Sequence, residues 1–197
     1  KGIVAQWLPL PTQNDEDTQS LVKSFIDVFP YASLWTTELH EMLLIGSMDP
    51  LFLDAHKIIE RFNQSETLSA LKEVGISSPE ALMATWITDR KGLENYAGNA
   101  LPVTDDWPRI EYADWVRFDE IHRVLPKFIM LRNNPPLKNI DDDFLKRVAN
   151  ERQILLLFYQ AALNGSQGYK REWARDMQSV LKLDGNNPYY QWFGDQN

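Results

Sequence analysis

The residues in this sequence best suited to chemistry are the adjacent carboxylates Asp105 and Asp106, with Trp107, Glu111 and Tyr112 close behind them. Two carboxylates beside an indole can hold an amine by charge and by ring contact. The same run, Thr104-Asp105-Asp106-Trp107-Pro108, also reads as an Asx-type turn in which Thr104 and Asp105 satisfy local backbone N–H groups. Gln6 and Trp7 form a second candidate. They end the apolar run Gly2-Ile3-Val4-Ala5-Gln6-Trp7-Leu8, and ligands of α/β sheets bind beyond the carboxyl ends of parallel strands. A strand-end Gln that satisfies only a neighbouring loop is the other reading.

The remaining polar groups read as structure. His40 lies between Glu38 and Glu41, but a single imidazole with no second His at helical spacing describes a polar hairpin tip better than a metal site. His56 and His122 sit beside Lys57 and Arg123 in helical patterns and read as surface residues. Asp141-Asp142-Asp143 precedes a long apolar stripe, where negative charge complements a helix dipole. There is no Gly-x-Gly-x-x-Gly or Walker loop for a phosphate and no Gly-x-Ser-x-Gly elbow for a nucleophile. The chain has no Cys, which excludes disulfides, thiolate catalysis and Cys-ligated zinc; a reducing cytoplasm is the default compartment. We therefore expect no cofactor, no metal and no complete catalytic centre within the chain itself.

A net charge of −8 argues against a nucleic-acid partner, which needs a basic face to displace counterions. With 44% hydrophobic residues and seven Trp in 197 residues, the chain can bury a sizeable core. No apolar run approaches the ~18–20 residues of a membrane helix, and no signal peptide is recognisable.

The elements that must position these residues fall into two styles. Gly2–Leu8 is apolar on both faces of a period-2 reading and predicts a strand buried on both sides, as in a parallel sheet covered by helices. Asn14 caps an acidic first turn, and Leu21, Val22, Phe25 and Phe29 give the following helix one apolar face until Pro30 ends it. The runs 32–37 and 41–46, joined by Glu38-Leu39-His40, predict an antiparallel hairpin. Short helices follow: Asp49-Pro50 and Ser78-Pro79 place Pro at the first helical position, while Ser65 caps a helix that Gly75 closes. The run 104–112 predicts a turn feeding a short strand. Pro126 should kink or split a helix over 118–132, and Asn133-Asn134-Pro135-Pro136 is the best linker. An αα-hairpin closes the chain, with helices over 141–163, ended by Asn164-Gly165, and over 169–183. Its inner faces are predicted at Leu145, Val148, Leu155, Phe158, Trp173, Met177, Leu181. The ending Leu183-Asp184-Gly185-Asn186-Asn187-Pro188 is similar to the junction of a tetratricopeptide repeat, though one copy does not build a solenoid.

Together, Gly2-Ile3-Val4-Ala5-Gln6, the helix ending Val28-Phe29-Pro30 and the hairpin ending Leu43-Leu44-Ile45-Gly46 resemble the C-terminal sheet half of spermidine synthases, the polyamine aminopropyltransferases. Thr104-Asp105-Asp106-x-Pro with Glu111-Tyr112 resembles the larger, often membrane-linked, spermidine-synthase-like branch. The resemblance covers about residues 1–117. It implies the end of a class I methyltransferase-like, Rossmann-like sheet: strand five, its helix, and the terminal strands six and seven. The family transfers an aminopropyl group from decarboxylated S-adenosylmethionine to a diamine such as putrescine. Its glycine-rich loop, ribose-binding acid and catalytic Asp loop all precede strand five. Gln6 matches the Gln at the family's Val-Ala-Gln strand end near the substrate, and Asp105-Asp106 matches the acidic pair of the larger branch. Trp107 stands where that branch carries Arg, and the hairpin loop lacks the family's diamine-contacting Tyr and Gly pattern.

The expectation is thus α/β followed by all-α: residues 1–117 as the C-terminal part of a spermidine-synthase-like domain and 118–197 as a helical tail. The chain, which starts at Lys1 inside a strand, reads as a piece of a longer cytoplasmic or membrane-linked protein, inactive alone. It would supply part of an amine pocket with Gln6, Trp7, Asp105 and Asp106. With strand four missing, the Gly2–Leu8 strand would present an unpaired edge with some of Ile3, Val4 and Trp7 bare, and the chain would self-associate through it. Two other functions fit the same sequence: a non-enzymatic helical interaction module on an α/β scaffold, and a fragment of an S-adenosylmethionine-dependent methyltransferase.

Overall fold

The computed structural model describes residues 2–10, 14–108, 110 and 118–195. In chain order its elements are β1 (Val4–Pro9), α1 (Asp15–Val28), β2 (Tyr31–Glu38), β3 (Glu41–Ser47), β4 (Leu53–Asp54), α2 (Ala55–Phe62), α3 (Ser65–Glu73), α4 (Pro79–Ala84), β5 (Trp86–Asp89), α5 (Arg90–Ala97), α6 (Ile121–Met130), β6 (Leu137–Lys138), α7 (Asp142–Ser166), α8 (Lys170–Leu183) and α9 (Pro188–Asp195). A single 3₁₀ turn, Phe118–Glu120, precedes α6. The fold is mixed α/β. The chain divides into two compact units that interleave in sequence: 1–52 with 86–135, and 53–85 with 136–197. The boundary anticipated after residue 117 borders residues outside the description. The third crossover between units falls between Pro135 and Pro136, inside the anticipated linker.

The first unit is built on a four-stranded sheet of order β1-β3-β2-β5 in which every neighbouring pair is antiparallel. The expected hairpin forms, with a bulge between Thr36 and Glu38. β1 departs from the two-sided burial that its apolarity suggested and agrees with the open edge expected of a strand five without strand four. Among the described residues it pairs only with β3, antiparallel, at the edge of the sheet, so it is not a buried parallel strand. Ile3 and Trp7 are 65% and 67% exposed, and within β1 only Leu8 is buried. Apolarity on both faces implied two-sided cover; burial instead depends on which strands and helices stand alongside.

Helix α1 lies over one face of this sheet. Asn14 caps it as expected, its Oδ1 accepting the Asp17 N–H at 2.7 Å. Phe25 and Phe29 close over Gly46 so tightly that a Cβ there would stand 2.6 Å from one ring and 2.7 Å from the other. Glycine at 46 is therefore a packing requirement. No basic residue occupies the last turn of α1. The guanidinium of Arg90, from α5, takes that role across the structure, donating to the carbonyls of Ile26 and Phe29 at 2.7 and 2.6 Å. Strand β5 had no clear signal in the sequence, being four residues long; Trp86 meets Trp35 edge-on at 5.1 Å. Pro126 does not split α6, because burial of Ile121, Val124, Leu125 and Phe128 offsets the lost hydrogen bond, worth about 3 kcal/mol.

The second unit is helical, with a two-residue parallel pair, β4 and β6. Asp49-Pro50 does not open a helix; the next one starts at Ala55 with Asp54 as its cap. Ser78 caps α4 as anticipated, accepting the Ala81 N–H at 3.0 Å. Ser65 is the first helical residue of α3 rather than its cap, and Gly75 closes that helix at φ +85°. The αα-hairpin of α7 and α8 forms, but α7 continues through Asn164-Gly165 to Ser166. Gly165 instead admits the Trp173 ring, whose Cδ1 would lie 2.8 Å from a Cβ at that position, and Gly168 at φ +81° makes the turn. Of the anticipated inner positions, Val148, Phe158 and Met177 are buried, Leu155, Trp173 and Leu181 are half-buried, and Leu145 is exposed. Phe144 is buried in its place, because α7 also packs on α4 and this rotates the buried stripe by one residue.

Candidate functional site

Asp105 and Asp106 occupy the tip of a tight turn closed by backbone bonds. Trp107 donates its N–H to the Thr104 carbonyl at 2.9 Å, and Thr104 returns one to Trp107 at 3.4 Å. Both carboxylates are exposed, as is Trp107 at 63%. The loop before the turn is pinned to α1 through Ser24, whose Oγ accepts the Val103 N–H at 2.7 Å. A shallow cleft of about 280 Å³, lined by Val103, Thr104, Asp105, Pro108 and Ile110, opens beside it. Among the described residues Asp105 is the single charged one on that lining. Its position suits a small cation with an apolar stem. Arg109, Glu111 and Tyr112 lie outside the described residues.

Gln6 and Trp7 cannot share one pocket. Val4 stands opposite Gly46, which faces α1, so Val4, Gln6 and Leu8 point to the α1 side of the sheet. Trp7 points to the other face, in a row with Leu43 and Trp35. Gln6 lies in the middle of β1, three residues before Pro9, not at the strand end. Among the described residues no hydrogen bond or ion pair joins Gln6 or Trp7 to Asp105 or Asp106. Gln6 is exposed on the face of the sheet that carries α1, and α1 anchors the Asp105 turn through Ser24.

A charged cluster that sequence reading missed stands at the N-terminus of α1, beyond the carboxyl end of β1. Asp15 accepts the Tyr96 hydroxyl at 3.0 Å and pairs with Lys127. Burial, and then the neighbouring Asp15 carboxylate, push the Tyr96 phenol far above its ordinary range, so it stays protonated as a donor. Glu120 is 8% exposed; its Oε1 lies 3.6 Å from Arg123, and its buried Oε2 has no hydrogen-bond partner. These residues come from positions 15, 96, 120 and 127, and no spacing rule connects them. Only the helical apolar pattern that packs α5 and α6 could have hinted at their meeting.

At the hairpin tip, Glu38 accepts hydrogen bonds from His40, which hold its carboxyl below the usual range. Asp141 caps α7 as expected, accepting the Phe144 N–H at 2.7 Å. Among the described residues no three His, Asp or Glu side chains converge on a point that could hold a metal, and no helix is long and apolar enough to cross a membrane. In the helical unit the exposed large apolar side chains Leu145, Tyr169, Leu183 and Trp192 are spread over α7, α8, α9 and the turn between the first two. No family model, curated protein or solved structure matches the chain.

Proposed function

We propose that this chain is the C-terminal portion of a spermidine-synthase-like aminopropyltransferase and contributes one wall of its amine pocket. The observation that carries the reading is the order of strands in the first unit. β1 and β2 run parallel to each other and are joined by α1, and β3 lies antiparallel between them. The resemblance implies that arrangement for strand five, its helix and the terminal hairpin of a Rossmann-like, methyltransferase-like sheet. The unpaired outer edge of β1 is where strand four of that sheet would lie.

On this reading Asp105, with Asp106 close by, holds the ammonium of a diamine such as putrescine, and Trp107 shields it from water. Gln6 orients the chain-side end of the pocket, and Trp7, on the opposite face, packs against the upstream half. Decarboxylated S-adenosylmethionine would be held entirely by that upstream half. There, the substrate amine would attack the carbon next to the sulfonium, the bond from that carbon to sulfur would break to release methylthioadenosine, and an upstream carboxylate would take the amine proton.

Titration calorimetry tests the proposal. Putrescine is expected to bind the chain weakly, with affinity lost in Asp105→Asn and retained in Asp142→Asn. Methylthioadenosine should give no saturable heat. A clear one-site nucleoside isotherm, or diamine binding that ignores Asp105, would overturn the reading.

A further inference from the structure

The outer edge of β1 carries an inference that does not rest on the family reading. Leu10 donates its N–H to the His40 carbonyl at 2.8 Å, continuing the ladder in which Pro9 stands opposite Glu41. In an antiparallel pair, residues alternate between bonding to the partner strand and facing away from it. Val4, Gln6 and Leu8 thus bond to β3, while Ile3, Ala5 and Trp7 aim their N–H and C=O groups outward. Among the described residues no strand lies on that side.

The other edge of the sheet is closed. Beside β5, Asn133 donates its N–H to the Ile87 carbonyl at 2.9 Å and its Oδ1 accepts the Trp86 indole N–H at 2.8 Å. Natural edges are protected by charges, prolines, bulges or a covering segment. Among the described residues β1 has one of these, Pro9 at its carboxyl end; residues 2–10 carry no charge, and the ladder with β3 runs without a register shift. A row of alternating donors and acceptors is complementary to another open strand edge. β4 and β6 are edges too, but of two residues each, too short to match this row; with β5 blocked, the matching edge among the described residues is β1 of a second copy.

We propose that two copies of this chain pair antiparallel along β1 about a two-fold axis at Ala5. Ala5 then faces the second copy's Ala5, and Ile3 faces the second copy's Trp7, so that each of these residues both donates and accepts. A shift toward the carboxyl end brings Pro9, which has no N–H, into the pairing and loses donors. The small residue sits on the axis. Each exposed Ile3 lies beside the other copy's exposed Trp7, which extends the row Trp7, Leu43, Trp35 across the interface. Such a contact buries on the order of 1,000 Å², the low end for specific interfaces, so the dimer is reversible and concentration-dependent. The net charge of −8 opposes it at low salt.

The inference concerns the 197-residue chain as it stands. In a longer protein an upstream strand and a second copy would compete for this edge, and failure of the dimer leaves the family reading untouched. Sedimentation velocity over a range of concentrations is expected to give a monomer–dimer equilibrium that tightens as salt is raised. Ala5→Pro removes an outward N–H at the axis and leaves the β3 ladder intact. Pro9, at another outward-facing position, shows that β1 accepts the ring there. That variant should remain monomeric at tenfold higher concentration with an unchanged circular dichroism spectrum. Should it unfold, hydrogen exchange on the native chain decides: amides of Ile3, Ala5 and Trp7 become protected only in the dimer. A native chain that stays monomeric at high concentration, a dimer that survives in folded Ala5→Pro, or outward amides that exchange freely in the dimer overturns the proposal.

Discussion

Phe158 is the centre of the helical unit, and replacing it with alanine measures how much of that unit depends on one ring. The side chain is fully buried on α7. Its ring lies 4.9 Å from Tyr190 and 5.1 Å from Tyr189 and Phe193, all on α9, and 5.7 Å from Tyr159. Truncating a buried Phe to Ala costs about 3–5 kcal/mol through lost transfer energy and the cavity left behind. Aromatic pairs add about 0.5–1.5 kcal/mol each beyond area burial. They share one ring and are not additive, so we place Phe158→Ala at the upper end, about 4–5 kcal/mol. At a urea m-value of about 2 kcal/mol/M this moves the unfolding midpoint down by roughly 2 M. Trp192, exposed on α9 and in contact with Phe193 at 5.7 Å, serves as the control; Trp192→Ala should cost under ~1 kcal/mol. Urea unfolding followed by far-ultraviolet circular dichroism reads both variants. A loss below about 1.5 kcal/mol at Phe158, or equal losses at the two positions, would show that α9 does not dock on α7 through this ring.

Three further outcomes follow from the geometry. Gly46→Ala should destabilise by about 1–3 kcal/mol, since its Cβ collides with the Phe25 and Phe29 rings; a neutral effect in urea unfolding would mean that the α1–sheet packing is looser than described. Arg90→Met leaves the Ile26 and Phe29 carbonyls without their charged donor and should cost about 1.5–3 kcal/mol, with faster amide exchange confined to the last turn of α1 as the specific signature. Burial, and then the carboxylates of Asp184 and Glu80, raise the Glu151 carboxyl above its ordinary value. The folded state therefore holds this proton more tightly than the unfolded one, and stability falls as pH rises through the folded value. Glu151→Gln should raise the urea midpoint at neutral pH and flatten the pH dependence just above the ordinary Glu range; a lower midpoint would contradict that sign.

What was legible in the sequence was local. Asn14, Ser78 and Asp141 announced their helices because a cap is a contact between residues three positions apart. The hairpin of β2 and β3 and the pairing of α7 with α8 were legible for the same reason: each joins neighbours through a short loop. The acidic turn at Asp105 and Asp106 could be named from its letters; that backbone bonds between Thr104 and Trp107 close it was not legible there.

Tertiary structure decided everything that depends on what stands alongside. The run Gly2–Leu8 is equally apolar whether it lies inside a sheet or at its edge; its apolarity alone suggested two-sided cover, the family resemblance pointed to an open edge, and the neighbours of β1 decided between them, leaving Ile3 and Trp7 bare. That placement also put Gln6 and Trp7 on opposite faces, which adjacency in sequence had suggested were one site. Leu145 and Phe144 exchanged roles because α4 approaches α7 from a second side. Asp15, Tyr96 and Lys127 meet through packing of α1, α5 and α6, across 112 positions of chain. Periodicity records which face of an element is apolar; it carries no information about which partner that face will meet, and partner choice set both the open edge and the buried charges of this protein.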